Sequence, residues 1–76
     1  MNFKEVELLL AELAVLLQDG DAEAVERLGD LQEYLSGSEV EEQMKTLEEY
    51  VNTYDFETAQ ITLAKITMRL NTVLNA

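Results

Sequence analysis

Apolar side chains recur every three or four residues along almost the whole of this chain, and no proline interrupts them. That spacing returns a side chain to one face of a helix turn after turn, and it does not fit the two-residue alternation of a strand. In the first segment the apolar positions are Val6, Leu9, Leu10, Leu13, Leu16 and Leu17. Val25, Leu28, Leu31 and Leu35 mark a second, narrower stripe, with Ala24 at its border. Val40, Met44, Leu47 and Val51 follow at intervals of four, three and four, flanked by Tyr50 and Tyr54. Phe56, Ala59, Leu63, Ile66, Leu70 and Val73 form the last and most regular stripe.

The breaks between stripes carry the residues that end and begin helices. Gly20 suits the left-handed position just past a helix C-terminus, and Gly37 ends the second helix within Ser-Gly-Ser. Asp21 and Asp55 offer side-chain acceptors to the first free amides of the helices that follow. Ser38 and Glu41 have the spacing of a capping box, in which each side chain satisfies an amide of the other. The expected helices are 3–18, 22–35, 39–53 and 56–74. Connections this short force successive helices to lie antiparallel. The fold class is therefore all-α, an antiparallel up-and-down four-helix bundle in which residues 1–76 make one domain. Its expected core is Val6, Leu10, Leu13, Leu17, Val25, Leu28, Leu31, Val40, Met44, Leu47, Phe56, Ala59, Leu63, Ile66 and Leu70.

A chain of 76 residues has about 4,700 Å² of surface when folded against about 12,500 Å² unfolded. That suffices for one core and leaves no room for a deep cofactor cavity. Cysteine and histidine are both absent, which removes the disulfide and the usual metal ligand as staples. Stability has to come from helix packing, self-association or a larger parent protein.

The same absences narrow the chemistry. With no imidazole base and no thiolate nucleophile, an enzyme would have to work with carboxylates alone. Every acidic residue lies off the apolar stripes, away from any dry cleft where such work is done. Asp19, Asp21, Glu23 and Asp30 match some positions of a calcium loop, but Ala24 stands where the loop needs glycine. No cofactor, metal or catalytic site is expected.

The net charge is −11, the wrong sign for neutralising phosphates, so neither nucleic acid nor an anionic membrane is an expected partner. All 16 acidic residues precede residue 58, beyond which Lys65 and Arg69 are the only charges. Glu7 and Glu12 interrupt the apolar run of the first segment, which is also too short to cross a bilayer. Cytoplasmic residence is the default expectation.

Two helices carry more apolar surface than one core face needs. Leu8, Ala11 and Val15 form a second line on the first helix, and Ile61, Ala64 and Met68 do so on the fourth. In an up-and-down bundle these helices are neighbours. The six residues are therefore the candidate partner-binding surface, the competing account being that they fill a broad core. A weak echo accompanies this pattern. Asp21-Ala22-Glu23-Ala24 is mirrored by Asp55-Phe56-Glu57-Thr58, 34 residues on. Although 34 is the tetratricopeptide period, the apolar stripes match better at 35, where Ala24, Leu28, Leu31 and Leu35 meet Ala59, Leu63, Ile66 and Leu70; the tryptophan and Leu-Gly positions of that repeat are missing too, and two helical hairpins explain the echo.

Two blocks carry a family resemblance: Leu-x-x-Leu-Leu-x-Asp-Gly-Asp-x-Glu-Ala at 13–24, and Tyr-Asp-Phe-Glu-Thr-Ala at 54–59 followed by Leu63, Ile66 and Leu70. With them the chain resembles the histidine-containing phosphotransfer (HPt) domains of bacterial two-component signalling. It is most similar to the short, degenerate kind carried by hybrid sensor kinases and response regulators. Active members have His-x-Leu-Lys-Gly on the second helix. Here Glu26-Arg27-Leu28-Gly29-Asp30 stands there, with Glu26 in the histidine position. The resemblance implies the bundle, a non-catalytic interaction role, and a receiver or kinase domain as partner. The other readings are a stand-alone bundle that homodimerises and a tetratricopeptide-like adaptor for a partner helix.

Overall fold

Leu13, Leu31, Leu47 and Ile66, one from each stripe, meet at the centre of the molecule with no side-chain exposure. The computed structural model describes residues 3–75 and the side chains up to residue 72. Four helices follow one another as α1 (Phe3–Asp19), α2 (Ala24–Leu35), α3 (Glu41–Asn52) and α4 (Phe56–Asn75), and the described residues include no strand. α1 packs on α2 and α4, and α3 packs on the same two, so the helices stand in a ring in chain order. This is the up-and-down bundle. Its accessible surface of 4858 Å² is close to what area scaling gives a folded monomer of this mass. The molecule is a rod, 33 × 19 × 18 Å.

The elbows explain the boundaries. At the end of α1, Gly20 turns left-handed with φ 67°. Its amide donates to the Leu17 carbonyl and the Asp21 amide to the Leu16 carbonyl, at 3.2 and 2.9 Å. That pair of bonds is the Schellman closure, which satisfies carbonyls the helix leaves free. Gly37, at φ 76°, turns the chain after α2. Asp55 caps α4 as expected, its Oδ1 accepting the Thr58 amide at 3.3 Å.

Two helices begin later than their sequence signals suggest. Asp21 Oδ1 accepts the Glu23 amide at 2.9 Å, and the Ala24 and Val25 amides bond three residues back. A tight turn thus occupies 21–23, and α2 starts at Ala24 rather than at residue 22. The Ser38–Glu41 capping box does not form. Ser38 Oγ instead donates to the Leu35 carbonyl at 2.6 Å, closing α2, while its contact with the Val40 amide is long at 3.4 Å. α3 accordingly starts at Glu41, with Val40 before it offering no side-chain cap.

The core corrects the expected one in few places. Val25 is 45% exposed, whereas Ala24 is fully buried. Ala24, Leu28, Leu31 and Leu35 follow at four, three and four residues, and Val25 stands about a quarter-turn off that line. Phe56 packs only partly buried at the rim of the core, and Leu9, Leu35 and Val51 join its interior. Val73 lies beyond the described side chains. Buried positions repeat between hairpins: Val6, Leu13 and Leu17 of α1 correspond to Val40, just before α3, and to Leu47 and Val51 within it, 34 residues later. The echo in the sequence is the trace of two similar helical hairpins.

Candidate functional site on the α1 and α4 face

Leu8, Ala11 and Val15 point away from the core because each lies roughly opposite Leu13 at about 100° per residue around α1. Ile61, Ala64 and Met68 bear the same relation to Ile66 on α4. All six side chains are exposed. Leu8 is 60% exposed, Val15 56%, Ile61 55% and Met68 69%. They are not core residues. The six therefore form two apolar ridges on the outer backs of adjacent helices.

A groove runs between the ridges along the α1–α4 seam. One stretch is lined by Ala14, Gln18, Gln60, Leu63, Ala64, Thr67 and Met68. The next is lined by Phe3, Lys4, Glu7, Leu8, Leu10, Ala11, Thr67, Leu70 and Asn71. Four of the six ridge residues, Leu8, Ala11, Ala64 and Met68, thus border one continuous groove. Val15 leans the other way, with Ala11, over the α1–α2 seam. The ridges are parallel shoulders and do not fuse into a single flat patch.

Ala14 and Thr67 belong to this surface and escape a search for apolar stripes. Thr67 Oγ1 donates to the Leu63 carbonyl at 3.0 Å, and Thr62 and Thr72 bond back to Thr58 and Met68 in the same way, each at 3.0 Å. A hydroxyl held by its own helix leaves the methyl group as the part offered to the surface. Threonine at such a position behaves as a small apolar residue, so the surface is more apolar than its residue types suggest.

Charge is distributed around the face in an ordered way. Lys65 and Arg69 are exposed on α4, and neither has an acidic partner among the described residues. Arg27, in contrast, is engaged by Asp30 at 2.7 Å and by Glu12 and Glu23 at 3.9 Å each. Asp30, Glu23 and Asp21, three members of the apparent calcium loop, are thus committed to Arg27 and to the turn before α2. Among the described residues, no cluster of acidic side chains is placed to hold a metal ion. No helix among them is long and apolar enough to cross a membrane. Glu26 is exposed on the first turn of α2.

The class of molecule defined here is an all-α four-helix bundle with exposed apolar ridges on α1 and α4. No family model, curated protein or solved structure matches the chain.

Proposed function

We propose that this bundle is a non-catalytic protein-interaction module that docks through the α1 and α4 face. One observation carries the reading. Leu8, Val15, Ile61 and Met68 are each more than half exposed on adjacent helices, and Leu8 and Met68 border, with Ala11 and Ala64, the groove along the α1–α4 seam. Scattered surface leucines need no explanation, but a patch of this kind is disfavoured in water unless something covers it. The resemblance to HPt domains supplies a setting, bacterial two-component signalling. There the module brings proteins together without accepting a phosphoryl group, since Glu26 replaces the histidine. Receiver and kinase domains are the partner class that this setting implies.

The double variant Leu8→Glu/Met68→Glu tests the reading. The expected result is an intact helical circular-dichroism spectrum and a cooperative melt near that of the parent, with loss of association. Unfolding of the variant would show that the ridges hold the bundle together, and the docking reading would fall.

A further inference from the structure

We infer that this chain holds two copies of one groove, that only the α1–α4 copy is kept open, and that Gln32, Glu42 and Lys45 close the other. The inference rests on the docking reading above and names the residues that confine docking to one side of the bundle.

The two hairpins repeat position by position. Residues of α1 recur 34 residues later, on or just before α3, and residues of α2 recur 35 residues later, on α4. Val6, Leu10, Leu13 and Leu17 are buried, and so are Val40, Met44, Leu47 and Val51. Ala24, Leu28, Leu31 and Leu35 are buried, and so are Ala59, Leu63, Ile66 and Leu70. The elbows match as well, for the Gly20 and Tyr54 amides bond three residues back and the Asp21 and Asp55 amides five residues back. Four helices in a ring with this repeat have an approximate two-fold axis along the bundle. It exchanges α1 with α3 and α2 with α4, and so carries the α1–α4 seam onto the α2–α3 seam.

The groove repeats with the helices. A stretch of the α2–α3 seam is lined by Gln32, Leu35, Ser36, Glu41, Met44 and Lys45. Every one of these has its counterpart in the α1–α4 groove. Leu35 and Met44 correspond to Leu70 and Leu10, and Ser36 and Glu41 to Asn71 and Glu7, so the apolar floor and the polar edge recur in kind. The other two differ in length: Gln32 stands for Thr67, and Lys45 for Ala11. The groove holds about 620 Å³ on the α1–α4 side and about 180 Å³ on the α2–α3 side.

The rims differ in the same sense. Leu8 and Val15 correspond to Glu42 and Glu49, and Ile61 and Met68 to Glu26 and Glu33. All eight are exposed, so the bundle accepts leucine or glutamate at the same outward position. Lys45 Nζ lies 4.0 Å from Glu42 Oε1, an ion pair standing where the open groove has Ala11 and Leu8. An apolar surface laid on the α2–α3 seam would strip water from that pair and from the glutamates beside it without replacing their hydrogen bonds. The same surface laid on the α1–α4 seam covers apolar ridges, which favours contact.

Amide chemical shifts of isotopically labelled protein, followed while isobutanol is added as a small apolar probe, provide the test. In the parent chain the response is expected along the α1–α4 seam near Leu10 and Leu70, with little along the α2–α3 seam. Gln32→Thr/Glu42→Leu/Lys45→Ala should fold as the parent does by circular dichroism and gain a response near Leu35 and Met44. Ala11→Lys/Thr67→Gln should fold and lose the response near Leu10 and Leu70. A parent responding equally at both seams, a folded triple variant still silent at the α2–α3 seam, or a folded reciprocal variant still responsive would overturn the inference. Unfolding of either variant would overturn it too, because the outward positions would not then be interchangeable. Unfolding of Leu8→Glu/Met68→Glu alone would instead remove the docking reading.

Discussion

Tyr54 closes α3 with the backbone geometry with which Gly20 closes α1. Each is left-handed, at φ 59° and 67°. Each donates its amide to the carbonyl three residues back, and the following aspartate donates to the carbonyl five residues back. Nothing lies within 4 Å of a Cβ built on Gly20, so any cost of a side chain there comes from the backbone alone. Tyr54 bears that cost, offset in part by a tilted ring contact with Phe56 at 5.9 Å between centroids.

Gly20→Ala should destabilise the bundle by about 1 kcal/mol, the left-handed penalty less the entropy alanine removes from the unfolded chain. At Tyr54 the usual order should invert, with Tyr54→Gly more stable than Tyr54→Ala by about 1 kcal/mol. Urea denaturation of the three variants checks both. Alanine matching or exceeding glycine at position 54 would mean that the elbow is not left-handed in solution.

Leu13→Ala and Leu63→Ala should each cost about 2–5 kcal/mol, the range for deleting a core leucine. Leu13 is fully buried and Leu63 nearly so. Val15→Ala, on the outer ridge of the same helix as Leu13, should cost less than about 0.5 kcal/mol in the monomer. Equal losses at Leu13 and Val15 would show that the faces of α1 are misassigned.

Asp55→Ala should cost about 1 kcal/mol, because the Thr58 amide loses its acceptor and α4 loses a negative group at its N-terminus. Asp55→Asn should retain most of that stability, since asparagine caps comparably. Thermal melts of the pair separate the cap from the charge. Asparagine as damaging as alanine would argue against capping.

Most of the architecture is legible in the spacing of Leu13, Leu31, Leu47 and Ile66, because three- and four-residue intervals fit only a helix. Gly20, Gly37 and Asp55 mark their elbows through local chemistry that the structure retains. The failures fall where two local bonding schemes compete. Ser38 can cap α3 or close α2, and the short bond to Leu35 shows the second scheme prevailing. Val25 and Ala24 are neighbours in sequence, and it is Ala24 that continues the line of Leu28, Leu31 and Leu35 and is buried, although valine is the more apolar of the two. Tyr54 carries no signal for a left-handed elbow, which glycine or asparagine ordinarily marks. The ridges of the candidate site were readable as surplus apolar lines. The roles of Ala14 and Thr67 were not, because they depend on the seam and on a hydroxyl turned back into its own helix.

No phosphoryl group should pass to this chain from a kinase or a phosphorylated receiver domain, since it has no histidine. Incubation with radiolabelled donor should leave the band unlabelled. Label that is stable to base and labile to acid would require a phosphoacceptor nitrogen where none is expected.

The docking face is tested most directly by amide chemical shifts of isotopically labelled protein titrated with a receiver or kinase domain, the proposed partner class. The account predicts concentration-dependent shifts along the exposed backs of α1 and α4, around Leu8, Ala11, Ile61, Lys65 and Met68, with α2 and α3 largely unchanged. Shifts centred on the acidic α2–α3 side would contradict it.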